Sequence, residues 1–220
     1  KRAELVCEIL PMRCFASRQT RISGGISYRL KREHSSFTKG RQTIMEALRR
    51  EEQYTIDDIY ALPDGDRAEL IDGKFYNMAP PGTSHQKICG KLYQTIANYI
   101  DSHNGDCEIY AAPFAVFLNR DNLNYVEPDI SVICDSSKID EKGCHGTPDW
   151  IIEIVSPGSK SMDYFTKLFK YQNSGVKEYW IVDPMKQRVT VYHFEKETTE
   201  DYSFGEEIPV GLYEGFSIIV

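Results

Sequence analysis

No run of apolar residues in this 220-residue chain is long enough to cross a bilayer as a helix. The longest, Ala111 to Leu118, has eight residues and contains Pro113. Paired Cys-x-x-Cys spacing is missing too. The six cysteines, Cys7, Cys14, Cys89, Cys107, Cys134 and Cys144, are scattered, and a chain of this size has no need of covalent staples, so reduced thiols in a cytoplasmic protein are expected. The absence of any Asn-x-Ser/Thr acceptor fits that compartment. Cys144-His145 with Cys134 lacks a fourth ligand for zinc, and nothing around Cys144 supports a thiol nucleophile. Most catalytic templates also fail. The chain has no Gly-x-Ser-x-Gly elbow, no Gly-x-x-x-x-Gly-Lys-Ser/Thr loop, no Gly-x-Gly-x-x-Gly turn after a strand and no His-Glu-x-x-His helix. These absences exclude elbow-type serine hydrolases, P-loop nucleotide hydrolases, dinucleotide enzymes and zincin proteases.

Apolar residues make up 41% of the chain and charged residues 27%, the proportions of a globular domain with a real core. Charge is unevenly spread. Residues 1–50 hold 12 Lys and Arg against 4 Asp and Glu, whereas the remainder holds 14 against 29, within a total net charge of −7. Residues 1–44 show no sustained apolar periodicity. They are read as a basic N-terminal extension upstream of Met45 and outside the core, with residues 45–220 forming one domain.

Regular punctuation begins at Thr55. Thr55 with Asp58 has capping-box spacing, predicting a short helix to about Leu62. Asp72-Gly73 between Ala68–Ile71 and Lys74–Met78 is a strong hairpin signal. Ser84 is placed to cap a helix in which Ile88, Leu92, Ile96 and Ile100 keep helical spacing. Extended segments follow at Cys107–Leu118, Tyr125–Ile133 and Asp149–Val155, with a polar hairpin loop over Cys134–Thr147. A helix over Ser161–Ser174 stops at Gly175. Strands at Glu178–Asp183 and Arg188–Phe194 and a final edge segment over Leu212–Val220 complete a mixed α/β (α+β) domain.

Two carboxylates stand in apolar settings: Asp129 between Pro128 and Ile130-Ser131-Val132-Ile133, and Glu153 within Trp150–Val155. With a side-chain period of two, Ile151, Glu153 and Val155 share one face of their strand, so Glu153 should be partly buried. If the two strands are neighbours, the carboxylates sit side by side, and repulsion and desolvation would protonate one unless a divalent cation binds between them. Spacing alone leaves a second reading equally open, a strand glutamate paired with a lysine or wetted at the sheet end.

The ordered series Glu69-Leu70-Ile71-Asp72-Gly73, Pro80-Pro81 with Ser84-His85, Glu127-Pro128-Asp129-Ile130, Glu153-Ile154-Val155-Ser156-Pro157, Asp163 with Lys167 and Tyr171, Gly175-Val176, Glu178-Tyr179-Trp180 and Val182-Asp183-Pro184 resembles the Uma-type family of putative restriction endonucleases, within the PD-(D/E)xK nuclease superfamily. The resemblance spans about Tyr54 to Phe216. It implies a restriction-endonuclease-like core, a mixed β-sheet flanked by helices. It also implies a metal-dependent phosphodiesterase, a DNA endonuclease with RNA left open as substrate, acting as a homodimer in the cytoplasm. Asp129 would be the PD aspartate and Glu153 the second acidic ligand, the two holding Mg²⁺ (or Mn²⁺) with the Ile154 carbonyl. The lysine departs from the standard pattern, since two residues after Glu153 stands Val155. Its counterpart is Lys167 on the following helix, where Asp163, Lys167 and Lys170 share a polar sector.

Glu69 matches an early acidic position that would serve a second metal or its water. For His85 the favoured reading is a polar histidine at a helix N-terminus rather than a site residue. Lys160, Lys167, Lys170 and Lys177 are the candidates to line a nucleic-acid groove, because a body this acidic is otherwise a poor partner for phosphate. Judged from its helix alone, Lys167→Met should leave folding nearly unaffected. The alternative function is a catalytically inactive interaction or structural protein on a nuclease fold.

Overall fold

The structure, a computed structural model, describes residues 53–220. The expectations for residues 1–44 and for Cys7 and Cys14 lie outside that range. Thr55 opens helix α1 (Ile56–Tyr60), its backbone N–H donating to the Asp58 carboxylate at 2.7 Å as the capping spacing requires. Strands β1 (Ala68–Ile71) and β2 (Lys74–Asn77) pair antiparallel, joined by Asp72 and Gly73 at φ 51° and 76°, the pair of positive φ angles that a tight hairpin demands. Helix α2 runs over Thr83–Ser102, starting two residues earlier than expected, with Gly82 rather than Ser84 as N-cap.

The segment expected as one long strand at 107–118 is two: β3 (Glu108–Ala111) and β4 (Val116–Phe117). They are separated at Pro113, which has no N–H for a ladder. Next come β5 (Ile130–Ile133), the short pair β6 (Ile139–Asp140) and β7 (Gly143–His145), and β8 (Trp150–Ile154). Gly143 admits no side chain, since a Cβ there would lie 2.2 Å from the Ala115 carbonyl oxygen. A π-helical segment (Met162–Lys167) then runs into helix α3 (Leu168–Ser174), which ends on Gly175 in the left-handed conformation. Strands β9 (Glu178–Asp183), β10 (Arg188–His193), β11 (Thr198–Ser203), β12 (Glu207–Pro209) and β13 (Ser217–Ile219) close the chain.

The central six-stranded sheet has the order β11-β10-β9-β8-β5-β3. Its β8–β9 pair is parallel, bridged by the π-helical segment and α3, and its other pairs are antiparallel. Alternation along β8 separates two cores. Trp150, Ile152 and Ile154 face a cluster with Leu92, Ile96 and Ile100 of α2 and with Ile208 and Ile218 of the β12–β13 pair. Ile151 and Val155 face a second cluster with Tyr171, Val176 and Tyr179, and with Val116 and Cys144 of the small β4-β7-β6 sheet. The expected final edge strand is therefore half of a separate hairpin covering the first core. Cys107 and Cys134, which flank the β3–β5 pair, form a disulfide; the expectation of reduced thiols is wrong for this pair, while Cys89 and Cys144 are free and buried. The disulfide also removes Cys134 from any zinc site.

Candidate active site

Glu153 projects from β8 between Ile151 and Val155, and the rest of the second core seals it at 4% exposure. Three elements converge on it. From the π-helical segment, the Lys167 ammonium donates to Glu153 Oε1 at 2.9 Å. From α3, the Tyr171 hydroxyl donates to the same oxygen at 2.8 Å. From β1, Glu69 reaches Lys167 Nζ with Oε2 at 2.9 Å, and its other oxygen accepts the Glu127 backbone N–H at 3.0 Å. Period two explains Glu69: Ala68 and Leu70 face the small core beneath the hairpin, so Glu69 faces the sheet. Asp163 stands 3.9 Å from Lys167 Nζ on the preceding turn. A single ammonium, 5% exposed, thus lies among three carboxylates. The glutamate in an apolar strand is thus paired with a lysine, as the second reading of Glu153 had it.

Asp129 comes from the opposite side. Extending by one residue the register in which Ile130 faces Ile152 sets Asp129 across from Glu153. Its Oδ2 accepts the Ile154 N–H at 2.7 Å, replacing a ladder bond. The same register sets Pro128 across from Ile154, and proline has no N–H to give, so the Ile154 carbonyl is offered no partner from that strand. His85, in the first turn of α2, places Nε2 3.1 Å from Asp129 Oδ2. The sequence favoured a histidine serving only its helix terminus; the tertiary contact that brings it to Asp129 has no sequence signal beyond its place after the Pro80-Pro81 turn.

Electrostatics follow from this crowding. Burial pushes the Glu153 carboxyl well above the usual carboxylate range, with Lys167 pulling the other way and Asp129, Asp163 and Glu69 adding to the rise. Burial likewise raises Asp163 to about 6 despite Lys167 and a Ser159 hydrogen bond. Burial would lower Lys167, but Glu153, Glu69 and Asp163 outweigh it and hold the amine well above its ordinary value. Burial also lowers His85, yet the hydrogen bond and charge of Asp129 raise it overall.

Three carboxylates surround one ammonium and a fourth, Asp129, stands across the strand pair beside His85, a surplus of negative charge that protons or a further cation must offset. Among the described residues, no three His, Cys, Asp or Glu side chains form a ready-made metal cage. Two opposed carboxylates with a backbone carbonyl that its neighbouring strand leaves free, and that the His85 ring also faces, are instead the sparse, hard-oxygen set that suits Mg²⁺, which keeps most of its own water. The donors present therefore fit the cation.

The proposed basic groove is not there in the form expected. Lys167 is buried among carboxylates, Lys170 is buried and bonded to Asp72 at 2.5 Å, and Lys177 pairs with Asp149 at 2.8 Å. Of the four lysines, Lys160 alone has no ion pair within 4.0 Å among the described residues.

The model of the Uma2 family, described as putative restriction endonuclease, matches residues 54–219. A protein of Synechocystis sp. (strain ATCC 27184 / PCC 6803 / Kazusa), named uncharacterized protein slr1290, is 27% identical over 129 residues, covering 58% of this chain. The matched part spans 66% of that relative, just under two thirds of its length. Among solved structures, the chain is similar to a putative nuclease belonging to DUF820 from Anabaena variabilis ATCC 29413, with a TM-score of 0.59 and 24% identity, over 72% of this chain and 89% of the other. At that identity the likeness is one of fold.

Proposed function

The chain belongs to the Uma2 family of putative restriction endonucleases, and from that premise we propose that it is a metal-dependent phosphodiesterase that cleaves DNA. The carrying observation is the opposition of Asp129 and Glu153 across adjacent strands, with Lys167 delivered to Glu153 from the crossover helix. Asp129, Glu153 and the Ile154 carbonyl would hold Mg²⁺. Such an ion supplies neutralisation of the scissile phosphate and a lowered pKa for attacking water. Lys167 donates a hydrogen bond to charge developing on the phosphoryl oxygens, and its buried, low-dielectric setting strengthens that contact. Glu69 also holds Lys167, and Tyr171 fixes the Glu153 oxygen that Lys167 also uses.

Plasmid cleavage with Mg²⁺, with Mn²⁺ and with EDTA, on wild type and Glu153→Gln, tests this reading. Glutamine keeps an oxygen to accept from Lys167 and Tyr171 while removing the charge. Metal-dependent nicking or linearisation by wild type and its loss in the variant are expected. Cleavage that persists in EDTA, or in Glu153→Gln, would remove the assignment; no cleavage of any DNA or RNA by wild type would favour an inactive interaction protein on this fold.

A further inference from the structure

We infer that His85 is a positioning residue for Asp129: its Nε2–H pins one carboxylate oxygen so that the other is left, already oriented, for a divalent cation. This rests on the metal-dependent reading above and adds to it a residue outside the acid–lysine set.

Asp129 needs such help. It lies just before β5, outside the strand proper, and follows Pro128, so the regular ladder does not hold it. Four donors do. Oδ2 accepts from Ile154 N–H at 2.7 Å and from His85 Nε2 at 3.1 Å. The main-chain carbonyl accepts from Ala112 N–H at 3.1 Å and from the Cys89 thiol at 3.7 Å. His85 and Cys89 are four residues apart, hence on one face of α2, and the helix grips both ends of the same aspartate. A carboxylate held this way does not lose further torsional freedom when it takes a ligand.

The tautomer decides between positioning and ligation. His85 Nδ1 is buried and has no hydrogen-bond partner. A proton placed there would be a buried donor without an acceptor, which is unfavourable, whereas Nε2 faces a carboxylate oxygen. The neutral ring therefore carries its proton on Nε2, and the imidazolium carries one there as well. In neither state does Nε2 have a lone pair to offer a cation. Nε2 orients the ligand and is not itself one.

The test is Mn²⁺ and Mg²⁺ binding by calorimetry, with free Mn²⁺ read by electron paramagnetic resonance, on the full chain and on His85→Gln and His85→Leu. Glutamine can present an N–H near the Nε2 position; leucine keeps the bulk without a donor. Loss of a partner that orients a metal ligand weakens affinity about 10-fold or more, so His85→Leu should lose that much for both ions. His85→Gln should stay within about 3-fold of wild type, and the Mn²⁺ to Mg²⁺ preference should be equal in all three proteins. Wild-type affinity in His85→Leu overturns the inference alone. A His85→Gln protein as weak as His85→Leu, with the preference for Mn²⁺ lost, overturns it in favour of a nitrogen ligand. No binding of either ion by wild type overturns the metal-dependent reading and this inference with it.

Discussion

Lys167 illustrates how a residue's neighbours change what its substitution does. Considered on its helix alone, Lys167→Met keeps the stem and the helix propensity and should fold normally. In the structure the ammonium is the common partner of Glu69, Glu153 and Asp163, all buried. Removing it leaves carboxylates in a dry pocket, and breaking a buried pair from one side costs about 3–5 kcal/mol. Lys167→Met should therefore melt on the order of 10 °C below wild type at pH 7.5, on the scale of about 2–4 °C per kcal/mol for a domain of this size. Lys170→Met is the control. Its partner Asp72 is 71% exposed at the side chain, so water takes over and the cost should stay below about 1 kcal/mol. Equal melting of Lys167→Met and wild type, followed by circular dichroism, would show that the carboxylates adjust without it.

At the scale of elements, the segment from Met162 to Ser174 is amphipathic in an unusual sense. Asp163, Lys167, Lys170 and Tyr171 turn inward, while Phe165 and Phe169 stand 72% and 67% exposed. The polar sector was legible from the 100° spacing; its inward direction was not, because hydrophobicity alone would have buried the phenylalanines. The Asp72-Gly73 hairpin and the Gly175 stop were legible for a local reason, that a positive φ restricts the residue type. Strand β11 gave no signal, since nearly all of Thr198–Ser203 is exposed and an edge strand without an apolar face has no period to read.

The Cys107–Cys134 link was missed for a related reason: its partners are 27 residues apart in sequence and meet only through β3–β5 pairing. Closing a loop of that length stabilises a fold by roughly 3 kcal/mol in the chain-entropy account. Cys134→Ser should thus lower the melting temperature by about 6–12 °C. An unchanged midpoint, with wild type run with and without dithiothreitol alongside, would show that strand pairing alone holds this edge.

The whole molecule carries an acidic surplus, and the candidate site repeats it inside. Asp129 and Glu153 stood out as carboxylates in apolar settings, Glu69 and Lys167 came from a resemblance in motif order, and the fold brings Glu69, Glu153 and Lys167 into one contact set, with Asp129 across the strand pair. Tyr171 and His85 complete the surroundings through contacts that only packing creates, while Asp163 stands by Lys167 through the i, i+4 spacing of their segment. The surplus has a consequence for global stability. Burial raises the folded-state pKa of Asp163 from an ordinary 3.8 to about 6, so between those values the folded protein holds a proton that the unfolded chain has released. Stability contributed by that proton is present in full below the ordinary value, falls as pH rises through the window and is absent above about 6. The amount is on the order of 3 kcal/mol. Asparagine cannot ionise and still accepts the Ser159 hydrogen bond. Asp163→Asn should be more stable than wild type at pH 7.5 by about that amount, and the advantage should shrink to about a third near pH 4.5 and vanish only below the ordinary carboxylate value. Urea unfolding of both proteins at pH 4.5, 6.0 and 7.5, without added metal, measures the difference. If Asp163→Asn is instead the weaker protein at pH 7.5, the pairing of ionised Asp163 with Lys167 outweighs its desolvation, and the interior surplus of charge is smaller than the count of carboxylates implies.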